Sequence, residues 1–379
     1  MSSRNLIVFV FSFFLPFNTG AQDTLRFSGQ FSSWLNAGTG SDLPLHGGAR
    51  YIPQLNFEMP VSENRLFYAE TSANIFGNTD FRPFDTISAS GKIKPYRIWM
   101  RYTTDQFELR LGLQKLNFGS AYMLRPLMWF DQTDPRDPLQ LTDGVWGLLA
   151  RYYFLNNANL WLWGLYGNNE KRGWESIPVN RKIPEFGGRV QVPVPGGEAG
   201  FTYHHRVADS RETRGTVPSF DKIPENKFGL DAKWDLKTGL WIEGSYTKKE
   251  KDVGMLTNQL VMNAGIDYTF RAGNGLYLAF ENLLATYDEK PFAFSNRLFF
   301  SMMSANYPVG LLDKFGAILY YNWTGKDFYS FMTWQRQFDK IMLYLIAFLN
   351  PDQYQLPAQT DSRNMFSGKG IQVMFVFNH

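Results

Sequence analysis

The chain carries few of the side chains that enzymes use for proton transfer or nucleophilic attack. It has four histidines, His46, His204, His205 and His379, and no cysteine. A hydrolytic site needs a nucleophile, a histidine and an orienting group within reach of one another, and His204-His205 has no obvious serine partner nearby in sequence. Adjacent residues of a strand point to opposite faces, so these two histidines also make a poor metal pair. Asp131, Asp134 and Asp137 cluster, but Pro135 and Arg136 interrupt them in a way that matches no calcium-loop spacing. No glycine-rich phosphate cradle appears. The sequence therefore predicts no enzyme, no cofactor and no metal site. What remains is charge and amide at alternate positions: Arg97 and Arg101; Glu108, Arg110 and Gln114; Arg151; Glu185 and Arg189. Such groups can replace part of a solute's hydration and bias which solutes enter a water-filled space.

The elements that hold these groups are short alternating runs. Tyr51, Pro53, Leu55, Phe57 and Met59 face one way, and Ile52, Gln54, Asn56 and Glu58 the other. Tyr96, Ile98, Met100 and Tyr102 oppose Arg97, Trp99 and Arg101; Phe107, Leu109, Leu111 and Leu113 oppose Glu108, Arg110 and Gln114. Successive side chains of a strand alternate between faces, so each run builds a sheet with one apolar and one charged surface. A whole chain of such runs predicts an all-β transmembrane antiparallel barrel, greasy outside and polar within.

The first residues read as an export address. Arg4 precedes an apolar run from Leu6 to Phe17, and Thr19-Gly20-Ala21 is a small-residue cleavage site, which predicts a signal peptide over 1–21 and a single barrel domain over 22–379. Arg4 is that segment's one charge, so the formal net charge of +3 falls to +2 without it. A balance that close to neutral gives no reason to expect a nucleic acid partner. An exported chain without cysteine cannot be a disulfide-stapled domain. After the leader no apolar run reaches the roughly 20 residues of a membrane helix, yet aromatics make up 17% of the chain. An alternating barrel reconciles the two, because only every second residue meets lipid.

Alternation and turn residues predict about eighteen strands, near 24–36, 49–59, 65–76, 92–102, 107–117, 145–155, 159–167, 185–194, 199–206, 226–234, 239–246, 258–270, 275–282, 293–304, 313–323, 327–337, 341–349 and 369–377. Connectors after even strands are short, as Pro60 to Asn64, Thr103 to Gln106 and Phe338 to Lys340; those after odd strands are mostly long, as Phe118 to Gly144, Asn168 to Pro184 and Val207 to Glu225. Bacterial barrels have short periplasmic turns and long external loops, so this phase expects the N-terminus in the periplasm and an even strand count. Tyr102, Phe107, Tyr152, Phe154, Trp234, Tyr268 and Phe270 gather beside the short turns, as an interfacial aromatic girdle would.

The run Leu109-Arg110-Leu111-Gly112-Leu113-Gln114-Lys115-Leu116-Asn117-Phe118-Gly119, followed by Asp131-Gln132-Thr133-Asp134-Pro135-Arg136-Asp137-Pro138, resembles a strand-then-loop segment of Gram-negative outer-membrane porins of the eighteen-strand, alginate-export type. The alternation of Ile371, Val373, Phe375 and Phe377 resembles a barrel-terminal strand read by the outer-membrane assembly machinery, although the chain ends Asn378-His379 rather than on an aromatic of the usual kind. The resemblance implies an outer-membrane location, lipid and lipopolysaccharide around the barrel, and a passive channel for a small hydrophilic solute.

Two expectations follow for the interior. With a four-residue turn over Thr103 to Gln106, Arg101 stands opposite Glu108 and Trp99 opposite Arg110, so Glu108 neutralises one arginine and a basic stripe remains. Inward carboxylates elsewhere, such as Glu58, Glu70, Asp231, Glu243 and Glu281, favour a mixed lining instead. The loop Phe118 to Gly144 sets Tyr122, Met123, Leu124, Leu127, Met128, Trp129 and Phe130 among Arg125, Asp131, Asp134, Arg136 and Asp137. So many large apolar groups fit a loop folded into the barrel mouth as a constriction better than a solvated one. The reading is a passive porin for small hydrophilic solutes, anionic or saccharide among them. Its alternative is a non-conducting scaffold that binds a polysaccharide or partner, and a homo-oligomer is compatible with either.

Overall fold

In the computed structural model, residues 24–40, 44–82, 87–134, 136–213, 217–352 and 365–379 are described. The expected leader and much of the last long loop lie outside them. The regular structure among the described residues is entirely β. In chain order the strands are β1 (Thr24–Gly38), β2 (Leu45–Ser62), β3 (Arg65–Phe81), β4 (Ile87–Thr103), β5 (Phe107–Gln114) and β6 (Val145–Tyr153). There follow β7 (Asn159–Leu165), β8 (Glu185–Val194), β9 (Gly197–Ala208), β10 (Ile223–Asp235), β11 (Gly239–Lys249) and β12 (Asn258–Phe270). The last six are β13 (Leu276–Asp288), β14 (Asn296–Pro308), β15 (Asp313–Asn322), β16 (Asp327–Gln337), β17 (Ile341–Leu349) and β18 (Lys369–Asn378).

Each strand pairs antiparallel with the next, and β18 pairs back onto β1 from Gly38 opposite Gly370 to Gln30 opposite Asn378. The ladder closes with Gly29 and His379 exchanging backbone bonds of 3.0 Å each way. Closure gives every strand a neighbour on both sides, although β4 meets the shorter β5 only over Ile98–Thr103. The eighteen strands and the alternation of short turns with long loops are as expected from the sequence.

The surface is inverted relative to a soluble protein. Leu55, Met100, Leu111, Leu162, Leu230, Met262 and Met332 lie exposed on the outer face, while Arg97, Glu108, Arg189, Lys227, Glu243 and Glu281 are buried within. Turn chemistry is local. Val194 pairs with Gly197, so Pro195-Gly196 is a two-residue turn, with proline setting the first φ and Gly196 taking φ +74° at the position that disfavours a side chain.

Two departures from regular pairing matter for the interior. In the β4–β5 hairpin Thr104 N–H donates to Phe107 O at 2.8 Å, which makes Asp105-Gln106 the whole turn. The register is therefore two residues from the expected one: Thr103 stands opposite Glu108 and Arg101 opposite Arg110. An even shift leaves every side chain on its expected face. Between β3 and β4, Ser72 pairs with Arg97 but Ala73 pairs with Pro95, leaving Tyr96 unpaired in a bulge. The bulge turns Tyr96 inward beside Arg97, where it lines an interior cavity, contrary to the outward phase that alternation assigns it.

Candidate functional site: the barrel interior

The connector from β5 to β6 enters the barrel and crosses to the opposite wall. Its backbone amides are received there by inward carboxylates. Glu281 on β13 accepts from the amides of Tyr122 (2.7 Å), Met123 (3.2 Å) and Leu124 (2.7 Å), and from Trp241 Nε1 at 3.1 Å. Glu243 on β11 accepts from Ala121 (2.8 Å) and Leu127 (2.6 Å), and Asp231 on β10 from Ser120 Oγ (2.9 Å). A loop inside a barrel has amides that water and strands do not satisfy, and carboxylates supply charge-assisted partners.

The apolar residues of the connector pack in two places. Leu116, Phe118, Leu127, Trp129 and Phe130 join Leu149, Trp163 and Leu165 of β6 and β7. Leu124 enters a second cluster with Leu283, Phe300, Tyr320, Tyr329, Phe331 and Phe348 of β13–β17, completed by Phe366 of the last long loop. This side of the interior is therefore a packed apolar core, and the sequence reading of a polar lining does not extend to it.

The five charged loop residues singled out in the sequence hold the loop's own shape. Arg125 pairs with Asp131 (2.6 Å) and donates to Phe118 O (3.0 Å). Arg136 pairs with Asp134 at 2.6 Å and lies 5.1 Å over the Phe366 ring. Asp137 accepts from Leu139 N–H, and its burial pushes its carboxyl pKa above the ordinary value. Trp129 Nε1 donates to Ser245 Oγ on β11 at 2.9 Å.

The wall residues fall into three groups. At the short-turn end Glu108 is shared by Arg110 (2.9 Å), Arg151 (3.4 Å) and Arg101 (3.8 Å). Each guanidinium also faces a ring: Arg101 lies over Tyr68 at 5.2 Å, Arg110 over Trp99 at 5.3 Å and Arg151 over Trp161 at 3.6 Å. Contrary to the expected one-to-one pairing, one carboxylate serves three arginines, and Glu70 beside them accepts from Trp99 Nε1. Arg97 and Gln114 stand apart and bond to backbone. Arg97 donates to Tyr96 O (2.6 Å) and Thr142 O (2.8 Å), and Gln114 Nε2 to Gly147 O (3.1 Å).

Glu185 and Arg189 belong to buried networks. Arg189 is bidentate on Asp231 at 2.6 and 2.9 Å. Glu185 holds Arg172 at 2.6 Å and His204 Nε2 at 3.2 Å. Beside it Glu175, in the loop after β7, takes Arg206 and Lys227, while Glu225 takes Arg206, Lys227 and Lys249. Burial works against a charged Glu175, but Arg206, Lys227 and Arg172 outweigh it and hold its pKa below the ordinary value. The sequence signal for this network was the inward phase of Lys227; Glu225 and Lys249 lie beyond the expected strand ends, where β10 and β11 run longer than expected, and Arg172 and Glu175 on the long loop have no periodic signal. The adjacent histidines part as expected: His204 is buried inside, and His205 on the outer face meets Asn226 at 2.9 Å. Among the described residues no three acidic or histidine side chains converge as a metal site would need.

Cavities flank the loop. One of about 550 Å³ lies between the loop and the short-turn ends of β10–β13, with Lys115, Tyr122, Lys233, Trp241 and Tyr277 in its walls. One of about 320 Å³ lies beside β1, β2 and β4, and one of about 220 Å³ lies between β4, the start of β6 and the long loop after β7.

No protein-family profile matches the chain, and no curated protein matches it in sequence. Solved structures do match in fold. OmpT of Vibrio cholerae, an outer membrane protein in a trimer form, superposes at TM-score 0.53 over 94% of this chain and 99% of its own, with 10% identity. Salmonella typhi OmpF in complex with daunomycin gives 0.48, 94%, 97% and 10%. A triple mutant of the Rhodopseudomonas blastica porin gives 0.47, 94%, 100% and 11%. The first of these establishes that the chain has the fold of an outer-membrane porin.

Proposed function

We propose that the chain is a passive channel of the Gram-negative outer membrane, exported by a cleaved leader over 1–21 and inserted with its short turns in the periplasm. Small hydrophilic solutes cross it, and the loop 118–144 narrows their path. The observation that carries this reading is the closed eighteen-strand wall with apolar residues outside, charged residues inside and water-sized space on both sides of the loop. A bilayer's hydrocarbon accepts the outer face, and no soluble core needs an interior of this polarity. Lipopolysaccharide and outer-leaflet lipid would surround the belt, the assembly machinery would receive the closing strand, and a homo-oligomer would leave the channel reading unchanged. The three arginines around Glu108 favour a slight preference for anions, acid saccharides among them.

Purified barrel in planar bilayers tests the reading: stepwise conductance supports a channel. A silent barrel would favour the second reading, a scaffold for a surface polysaccharide or a protein partner. The packing of Leu124 and Phe366 into one core is the observation on that side.

A further inference from the structure

The loop is held very differently on its two sides. Its middle is anchored by Asp231, Glu243 and Glu281, all buried, and by Leu124 in the apolar core. Its returning end, Leu141 to Asp143, meets the β4 wall at three residues: Arg97 donates to Thr142 O at 2.8 Å, the Thr142 N–H donates to the Tyr96 hydroxyl, and Lys94 pairs with Asp143 at 2.5 Å. The Lys94 and Asp143 side chains keep 28% and 43% of their surface in contact with solvent. A pair hydrated to that degree separates readily, whereas the Arg97–Thr142 bond beside it is buried and is the stronger half of the contact.

These contacts stand between two cavities. The one of about 220 Å³ is walled by Lys94, Pro95, Thr142, Asp143 and the long-loop residues Asn168 and Glu170. The one of about 320 Å³ is walled by Ser28, Gln30, Gln54, Tyr96, Leu141 and Asn378. Pro95 precedes Tyr96, and Leu141 precedes Thr142. Consecutive residues on each lip thus line the cavity at the long-loop end and the cavity at the short-turn end, which adjoin here. The bulge at Tyr96 makes this septum: it sets Tyr96 and Arg97 side by side on the inner face, the guanidinium 4.0 Å over the ring, so that Arg97 reaches the loop.

We propose that solute crosses the barrel at this septum, beside β4, and that Lys94–Asp143 and Arg97–Thr142 form a latch whose release joins the two cavities. The proposal rests on the channel reading above and adds its route and its controlling residues. Opening needs only the returning end of the loop to move, while the anchored middle stays in place. The packed side of the barrel, around Leu124, stays shut.

The test uses the whole barrel in planar bilayers. Asp143→Asn and Lys94→Gln should each raise the open fraction, by up to roughly fivefold, the factor that a solvated ion pair can hold. The charge-swapped double variant Lys94→Asp/Asp143→Lys should restore the parental value. Lys94→Cys/Asp143→Cys, joined by a short bifunctional maleimide in this cysteine-free chain, should remove most of the conductance, and the uncrosslinked pair should conduct. Arg211→Gln, on an exposed outer loop, should change nothing. Parental conductance that survives the crosslink, or ignores both single variants, would overturn the proposal and leave the channel reading intact. Silence of the parent, the latch variants and a loop deletion alike would overturn both.

Discussion

Replacing Glu281 with glutamine should free the middle of the loop without harming the barrel. In the native protein the carboxylate receives three consecutive amides, from Tyr122, Met123 and Leu124, and the indole of Trp241. Glutamine offers one acceptor oxygen and turns an NH2 toward amides that can only donate. At least one buried amide loses its partner, and the remaining bonds lose their charge assistance. Hydrogen bonds to charged groups contribute about 1.5–3 kcal/mol each, and an orphaned buried donor costs a similar amount. Because the surviving bond and the Glu243 anchor share the load, we take about 3 kcal/mol for the local opening, which corresponds to about a hundredfold faster amide exchange. Hydrogen exchange read by mass spectrometry on peptides covering 120–130 measures this directly, with β12 and β13 peptides as internal standards. Unchanged exchange in 120–130, or equal acceleration in the strand peptides, would refute the argument that these bonds hold the loop.

Deleting Met123 to Asp137 should raise single-channel conductance several-fold and leave the heat-resistant band on a gel intact; unchanged conductance in a folded deletion would mean that the loop does not narrow the path. Leu111→Arg, on the exposed outer face, should destabilise by about 2–4 kcal/mol if it lies near the bilayer midplane, whereas Arg110→Leu should cost less, because Arg101 and Arg151 still satisfy Glu108; denaturant titration in detergent or vesicles gives the order. Anion preference should vanish on changing Arg101 and Arg110 together to Gln and fade at molar salt, where the Debye length falls to about 3 Å; a reversal potential that is cation-selective in the parent, or unmoved by the pair, would count against the basic stripe.

The wall was largely legible in the sequence because a strand's period of two writes each face into alternate letters. Phe328, Met332 and Trp146 could be placed outside, and Glu243 and Glu281 inside, without any knowledge of partners. Register was less legible. Thr103 to Gln106 and the tighter Asp105-Gln106 turn fit the same letters, and the two-residue difference exchanges partners but not faces. The Tyr96 bulge was invisible, since Tyr96, Ile98, Met100 and Tyr102 alternate without a break. The interior was the least legible part. That Glu281 holds Leu124, or Glu175 holds Lys227, depends on where a non-periodic loop goes after it leaves the wall. The aromatics of 118–130 signalled only that the loop would not stay in water.

The way the loop is received also dictates an order of assembly. The segment 120–127 is made between the fifth and sixth strands, but its acceptors lie on the tenth, eleventh and thirteenth, and the wall is complete only once β18 pairs with β1. A growing or inserting half-barrel must therefore carry this segment with its amides unmet until the far wall arrives to take them. Enclosure and internal docking become one late, cooperative event. A chain whose thirteenth strand lacked its carboxylate would be expected to insert normally and then stall in a closed but loosely filled form.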